Sequence, residues 1–206
     1  MFTRRRMDAE DLQPEESPLQ LSDAVLLDGL RQGSHEAFAT LFLRHYSPVR
    51  DLLYRLLGDV DEAEDVAQEV FLKLYQRPLS SEREHNLRAW LYRVATNLGY
   101  NALRAGRRRQ ERDRRADREV RQTVAGPDAL VLAKEERRAV RETLARLSSQ
   151  QAALLVLRYE GLSYAEVAAV LQVSPRSIGT MLARAEAEFK RQYLAGQKGG
   201  TDEALS

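Results

Sequence analysis

The sequence predicts an all-α protein of two small helical domains joined by a flexible, Arg-rich linker. Three observations carry that prediction. Apolar residues recur three and four apart in segment after segment, the period of a helix with one buried face. No stretch sustains the apolar–polar alternation of a strand, and β-branched residues are sparse. Between residues 110 and 128 the periodicity lapses in an Arg-rich run that closes on Gly126-Pro127, a composition that separates cores rather than filling one. A chain of 206 residues has room for two compact units. The expected boundaries are a disordered extension at 1–20, a first domain at 21–108, a linker at 109–128, a second domain at 129–194 and a disordered tail at 195–206.

Residues 1–20 mix Arg, acids, Pro14 and Pro18 without periodicity. Asp23 begins a short helix, with Val25, Leu26 and Leu30 at helical spacing and Gly33 as its C-cap. Ser34 caps a longer helix whose apolar stripe is Phe38, Leu41, Phe42 and Tyr46. Pro48 removes an amide hydrogen and crowds the preceding turn, so a kink or break is expected there. The pattern resumes at Val49, Leu52, Leu53, Leu56 and Leu57 and stops at Gly58. Asp59 and Glu62 form a capping pair for a third helix that buries Ala63, Val66, Ala67, Val70, Phe71 and Leu74. A polar loop from Pro78 to Asn86 leads to a fourth helix, Leu87 to about Arg107, burying Leu91, Val94, Ala95, Leu98 and Leu103. A fifth runs from about Asp128 to Leu147, and Ser148 caps a sixth that ends near Gly161. Ser163 and Glu166 make the capping box of a seventh, with Val167, Ala168 and Leu171 inward. After the turn Gln172-Val173, Ser174 is the N-cap and Pro175 the first residue of a last helix, where a missing amide hydrogen costs nothing. That helix buries Ile178, Leu182 and Ala185.

The formal net charge of +1 conceals segregation. Glu36 to Tyr75 holds eight acidic and four basic residues, whereas Arg104 to Arg121 holds nine Arg against four acids. Such asymmetry suits one surface to a basic protein partner and another to polyanions, although each run alone also reads as a solvated helix face. With no cysteine, the chain has no disulfide or thiolate metal site and accords with a reducing compartment. No apolar run approaches the ~18 residues of a bilayer span. In MFTRRRMDAEDL acids follow the arginines at once, unlike a secretory signal. A cytoplasmic protein without membrane insertion is expected. His35, His45 and His85 are scattered, and neither a Gly-rich phosphate loop nor a nucleophile–base pair is visible, so no enzyme, metal or cofactor is expected.

Three segments carry chemistry. The last two helices read as a helix-turn-helix, or more plainly as a helical hairpin in a bundle. In the first reading Arg176, Ser177 and Thr180 reach base edges in the major groove, and Arg184 and Lys190 reach phosphates. Outward Gly179 and Glu186 donate nothing to bases, so part of the affinity has to come from elsewhere. In the fourth helix Trp90, Tyr92 and Tyr100 sit among Arg88, Arg93 and Arg104, with Asn97 on a helical face. Aromatics stack on unpaired bases, arginines follow phosphates and an amide reads a base edge, a combination suited to melted DNA. The plain alternative is that these aromatics are core, Trp90 above all. On the third helix Asp61, Glu64, Asp65, Gln68 and Glu69 fall opposite the buried stripe. That is a solvated face by default, and a docking surface for a basic partner only in view of its neighbours.

Taken together, AEDVAQEVFLKLY, RAWLYRVATNLGYNALR and LSYAEVAAVLQVS resemble the bacterial extracytoplasmic-function (ECF) sigma factors of the sigma-70 superfamily, over about residues 26–193. The resemblance implies sigma domains 2 and 4 on a tether, a protein that binds core RNA polymerase and directs promoter recognition and melting, and no enzyme activity of its own. It implies that Asp65, Gln68, Glu69 and Leu72 dock on the β′ clamp helices, with further contact to the β subunit. It implies a −10 surface of Arg88, Trp90, Arg93, Asn97, Tyr100 and Arg104, with Asn97 where the family holds a flipped-out base. The loop at 78–86 belongs to that surface, and the Arg-rich connector matches the linker that threads toward the polymerase active-site cleft. The −35 set is Ser174, Arg176, Ser177, Thr180 and Arg184. Many relatives carry basic residues where this chain has Gly179, Met181 and Glu186, so shape readout of the duplex is expected to contribute more. An anti-sigma factor is a partner the resemblance allows, and the free protein is expected to be a monomer.

Two other readings compete. An independent helix-turn-helix regulator would dimerise, and leaves the acidic and aromatic–basic helices unexplained. A helical adaptor that binds RNA through the connector would depend on Arg107, Arg108 and Arg109.

Overall fold

The computed structural model describes residues 21–79, 86–116 and 128–202, and all regular structure in them is helical. The helices are α1 (Asp23–Arg31), α2 (His35–Leu57), α3 (Val60–Gln76), α4 (Leu87–Ala116), α5 (Asp128–Leu144), α6 (Ser149–Tyr159), α7 (Tyr164–Leu171) and α8 (Ile178–Asp202), with a 3-10 turn at Pro175–Ser177. Residues 1–20, most of the loop at 78–86, and 117–127 in the linker lie outside the described residues.

In the first half, α1, α3 and α4 pack around α2. Polar side chains set the starts of these helices: the Ser22 and Ser34 hydroxyls and the Asp59 carboxylate each accept an amide hydrogen from the first turn. The six apolar residues expected to be inward on α3 are all buried. On α2, Phe38, Phe42 and Tyr46 are only half-buried and form an aromatic ladder against α3. Phe38 meets Tyr75 edge-on at 5.0 Å and Phe42 meets Phe71 at 4.9 Å, geometries that ring quadrupoles favour. Gly58 ends α2 in the left-handed region (φ 72°), and the Arg141 guanidinium occupies the space a Cβ would need.

The structure narrows one expectation, at Pro48, and revises two helix ends. Pro48 neither breaks nor ends α2, which runs as one helix of 23 residues. Pro48 is exposed, and the buried Val49, Leu52, Leu53, Leu56 and Leu57 beyond it anchor the rest of the helix to the core. Helix α4 does not stop near Arg107 but continues to Ala116, into the expected linker, and α8 continues to Asp202, into the expected disordered tail. Arginine, glutamine and alanine, which dominate the α4 extension, are good helix formers, and that extension prolongs a helix already nucleated upstream.

In the second half α6, α7 and α8 pack together, and α5 lies along α8. Two capping boxes start its helices, Ser148 with Gln151 and Ser163 with Glu166. Gln172 ends α7 with φ 56°, and Val173 N–H reaches back to the Ala168 carbonyl at 3.1 Å, which turns the chain sharply toward α8. The halves then meet: α4 packs on α6 and α7, and α2 on α6. One buried apolar cluster runs through both, from Leu26 to Ala185.

Candidate nucleic-acid interface

Helix α3 places Asp65, Gln68, Glu69 and Leu72 in one exposed file, because positions three and four apart share a helix face. Leu72 is 51 % exposed, and Tyr75 continues the file at 41 %. Glu69 pairs with Lys73 one turn on at 3.2 Å, a solvated contact worth a few tenths of a kcal/mol. The file is acidic with an apolar end.

Helix α4 divides the −10 candidates. Asn97 is exposed, as are Arg88 and Arg104. Trp90 is half-buried and packs on the core, in keeping with its plain reading. Arg93 is half-buried and already engaged. Tyr92 and Tyr100 are buried, each 5 % exposed. The Tyr100 hydroxyl donates to the Leu147 carbonyl of the second half, so in this arrangement its ring is not offered to DNA. Arg88 bonds the Glu166 carboxylate at 3.2 Å and lies over the Tyr92 ring at 5.2 Å. Glu166 itself is held below the usual carboxylate range by the Ser163 backbone amide and hydroxyl of its capping box, with Arg88 adding a smaller pull.

In the helix-turn-helix, Ser174, Arg176, Thr180 and Arg184 are exposed and Ser177 is half-buried. The Ser174 side chain makes no capping bond, while the Ser177 hydroxyl donates to the Ser174 carbonyl at 2.7 Å. Arg176 and Thr180 stand on the first turns, where a groove-entering helix meets bases; Arg184 follows one turn later. Gly179 and Glu186 are exposed beside them, as expected.

Sequence reasoning missed the residues that join the halves. Arg55 on α2 pairs with Glu160, and its guanidinium lies 5.5 Å from the Tyr159 ring centre. Burial pushes the Glu160 carboxyl up, against the opposing pull of Arg55. These partners are about a hundred residues apart, and no local pattern marks such pairs. Among the described residues no group of acids and histidines could hold a metal ion, and no helix is long and apolar enough to cross a membrane.

Comparison with known proteins fits this geometry. Residues 41–109 match the model for sigma-70 region 2 and residues 137–189 that for sigma-70 region 4. The chain is 31 % identical over 175 residues to the RNA polymerase sigma-H factor of Pseudomonas aeruginosa, covering 81 % of this chain and 91 % of that one. It is equally identical, 31 % over 177 residues, to the ECF RNA polymerase sigma-E factor of Escherichia coli, again covering 81 % and 91 %. With the ECF sigma factor SigW of Bacillus subtilis the identity is 28 %, over 79 % and 92 %. Among solved structures, CnrH in complex with the cytosolic domain of CnrY shares the fold at a TM-score of 0.54 and 23 % identity, over 84 % of this chain and 97 % of CnrH. Two helical units, an exposed acidic file on one and a helix-turn-helix on the other, belong with that likeness: the chain is a member of the ECF-type RNA polymerase sigma factors.

Proposed function

We propose that this sigma factor docks on core RNA polymerase through the α3 file Asp65, Gln68, Glu69 and Leu72, meeting the β′ clamp helices. The β subunit is a further contact, and an anti-sigma factor is the partner that would keep the protein off the enzyme. The observation that supports the docking reading best is the file itself: four neighbouring side chains, acidic and polar with one exposed leucine, all turned from the core. Asn97 reads a flipped base of the melted −10 element, with Arg88, Arg93 and Arg104 on phosphates and Trp90 bordering the site. Arg176, Ser177 and Thr180 meet the −35 duplex, with Ser174 and Arg184 on its backbone. Arg88 and Tyr100 are engaged by the second half in this arrangement, so their use on DNA requires the halves to part.

Run-off transcription from a promoter library, with core polymerase alone and with this protein added, is the direct test. Protein-dependent transcripts with discrete starts are expected. Asp65→Ala with Glu69→Ala should weaken core binding about tenfold or more at unchanged thermal stability, since both side chains are exposed. Unchanged core affinity would remove α3 from the interface. Asn97→Ala should reduce open-complex formation at least tenfold while core affinity stays within about twofold, the signature of a contact made only with melted DNA. Equal losses in both would make Asn97 structural.

A further inference from the structure

Where α4 crosses the turn between α5 and α6, the two halves border an open surface cleft of about 650 Å³. Arg104 and Arg107 line it from α4, Arg146, Ser148 and Ser149 from the turn, and Gln192 from α8. Three guanidinium groups thus border one small space, and no acidic side chain is among the residues described as lining it. Arg104 lies over the Tyr100 ring, 5.9 Å from its centre. The nearby Glu188 carboxylate is occupied by Arg191 and by the Gln192 amide, which hold it down at about 2. The cleft has room for a small ligand. Clustered guanidinium groups favour phosphate over other anions, because each fork can donate two parallel hydrogen bonds to it.

We propose that this cleft binds a compact, multiply charged phosphate compound, of the class of inorganic pyrophosphate and the nucleoside triphosphates. Because one wall comes from each half, the bound anion bridges them. None of the residues involved is needed for docking through α3, and the site exists in the free chain.

Calorimetric titration of the full chain with pyrophosphate, with ATP, and with sulfate at matched ionic strength tests this without polymerase or promoter, so its outcome is separate from that of the docking reading. Pyrophosphate should bind at one site per chain, at least tenfold more tightly than sulfate. Arg146→Gln should weaken it at least fivefold, although Arg146 lies outside the Arg-rich run, and Arg104→Gln should do the same from the other wall. If the glutamine variants do not fold, Arg146→Lys should still lower affinity, since an ammonium cannot offer the paired donors. Arg114→Gln with Arg115→Gln, in the connector, should change nothing. Tighter binding of ATP assigns the site to nucleotides; equal affinity assigns it to free linked phosphates. The proposal is overturned if sulfate binds as well as pyrophosphate, or if the connector pair abolishes binding while Arg146→Gln does not. It is equally overturned if only a single-stranded oligodeoxynucleotide binds in an Arg146-dependent way.

Discussion

Asp23 shows how much one side chain holds. It opens α1, accepts from His45 at 2.8 Å, and pairs with Arg44, which also donates to the Leu21 carbonyl at 2.9 Å. Those contacts pin α1 to α2, and the bond from His45 is the largest cause of an Asp23 pKa below its usual 3.8. A carboxylate with a depressed pKa stabilises the fold above its unfolded value and loses that contribution as pH falls through the folded one. Asp23→Asn should therefore cost about 1 kcal/mol at pH 7, a figure reduced for its partial exposure, and little at about pH 2. Urea melts at the two pH values measure this; a cost that persists in acid would mean the loss is steric. None of this network is visible in the sequence, where Asp23 reads only as a helix start. The pairing depends on α1 folding back along α2, a tertiary fact.

At the scale of the element, the legible and the hidden separate cleanly. Caps and apolar periods are local, so Ser34, Asp59, Ser148 and Ser163 mark helix starts correctly and the α3 stripe is buried as its spacing demands. Where a rule depends on surroundings it is incomplete: α2 continues past Pro48 without a break, and α4 outruns its apolar pattern. Gly99 is the clearest omission. Glycine has a low helix propensity, yet a Cβ there would come within 2.8 Å of methyl groups on both Leu53 and Leu56, themselves buried at 0 % and 1 %. It lets α4 lie close against α2. Alanine gains up to about 1 kcal/mol of helix propensity over glycine. Overpacking of a filled core costs about 1–3 kcal/mol. Gly99→Ala should thus be net destabilising by about 1 kcal/mol in chemical denaturation, and a stabilised variant would show that the leucines yield. The candidate site was legible to the same degree. The outward positions of α3, Asn97 and the helix-turn-helix follow from period, whereas the burial of Tyr100 comes from a partner half that the sequence does not place.

For the whole molecule, the junction between the halves decides how the chain behaves. Tyr100 bonds Leu147, Arg88 bonds Glu166, Arg55 forms an ion pair with Glu160, and the apolar cluster is continuous beneath them. A single cooperative transition is expected on heating, with calorimetric and van't Hoff enthalpies equal. Tyr100→Phe leaves a buried carbonyl without its donor, at about 1–2 kcal/mol. Combined with Arg55→Ala, it should split the transition in two, each half melting on its own; a single sharp transition in that variant would show that packing alone couples them.

The long α4 has a further consequence, one of reach. From Asn97 to Ala116 a helix extends about 30 Å. The chain from Ala116 to Asp128, drawn straight, adds about 40 Å at most. Two DNA elements centred about 25 base pairs apart are separated by about 85 Å along the duplex. If α4 and the helix-turn-helix hold the two elements as proposed, that combined reach of about 70 Å falls short of the separation, and the second half from Asp128 onward has to span the remainder. On that proposal the length of the connector limits promoter spacing, and shortening it residue by residue should narrow the set of promoters the protein can straddle.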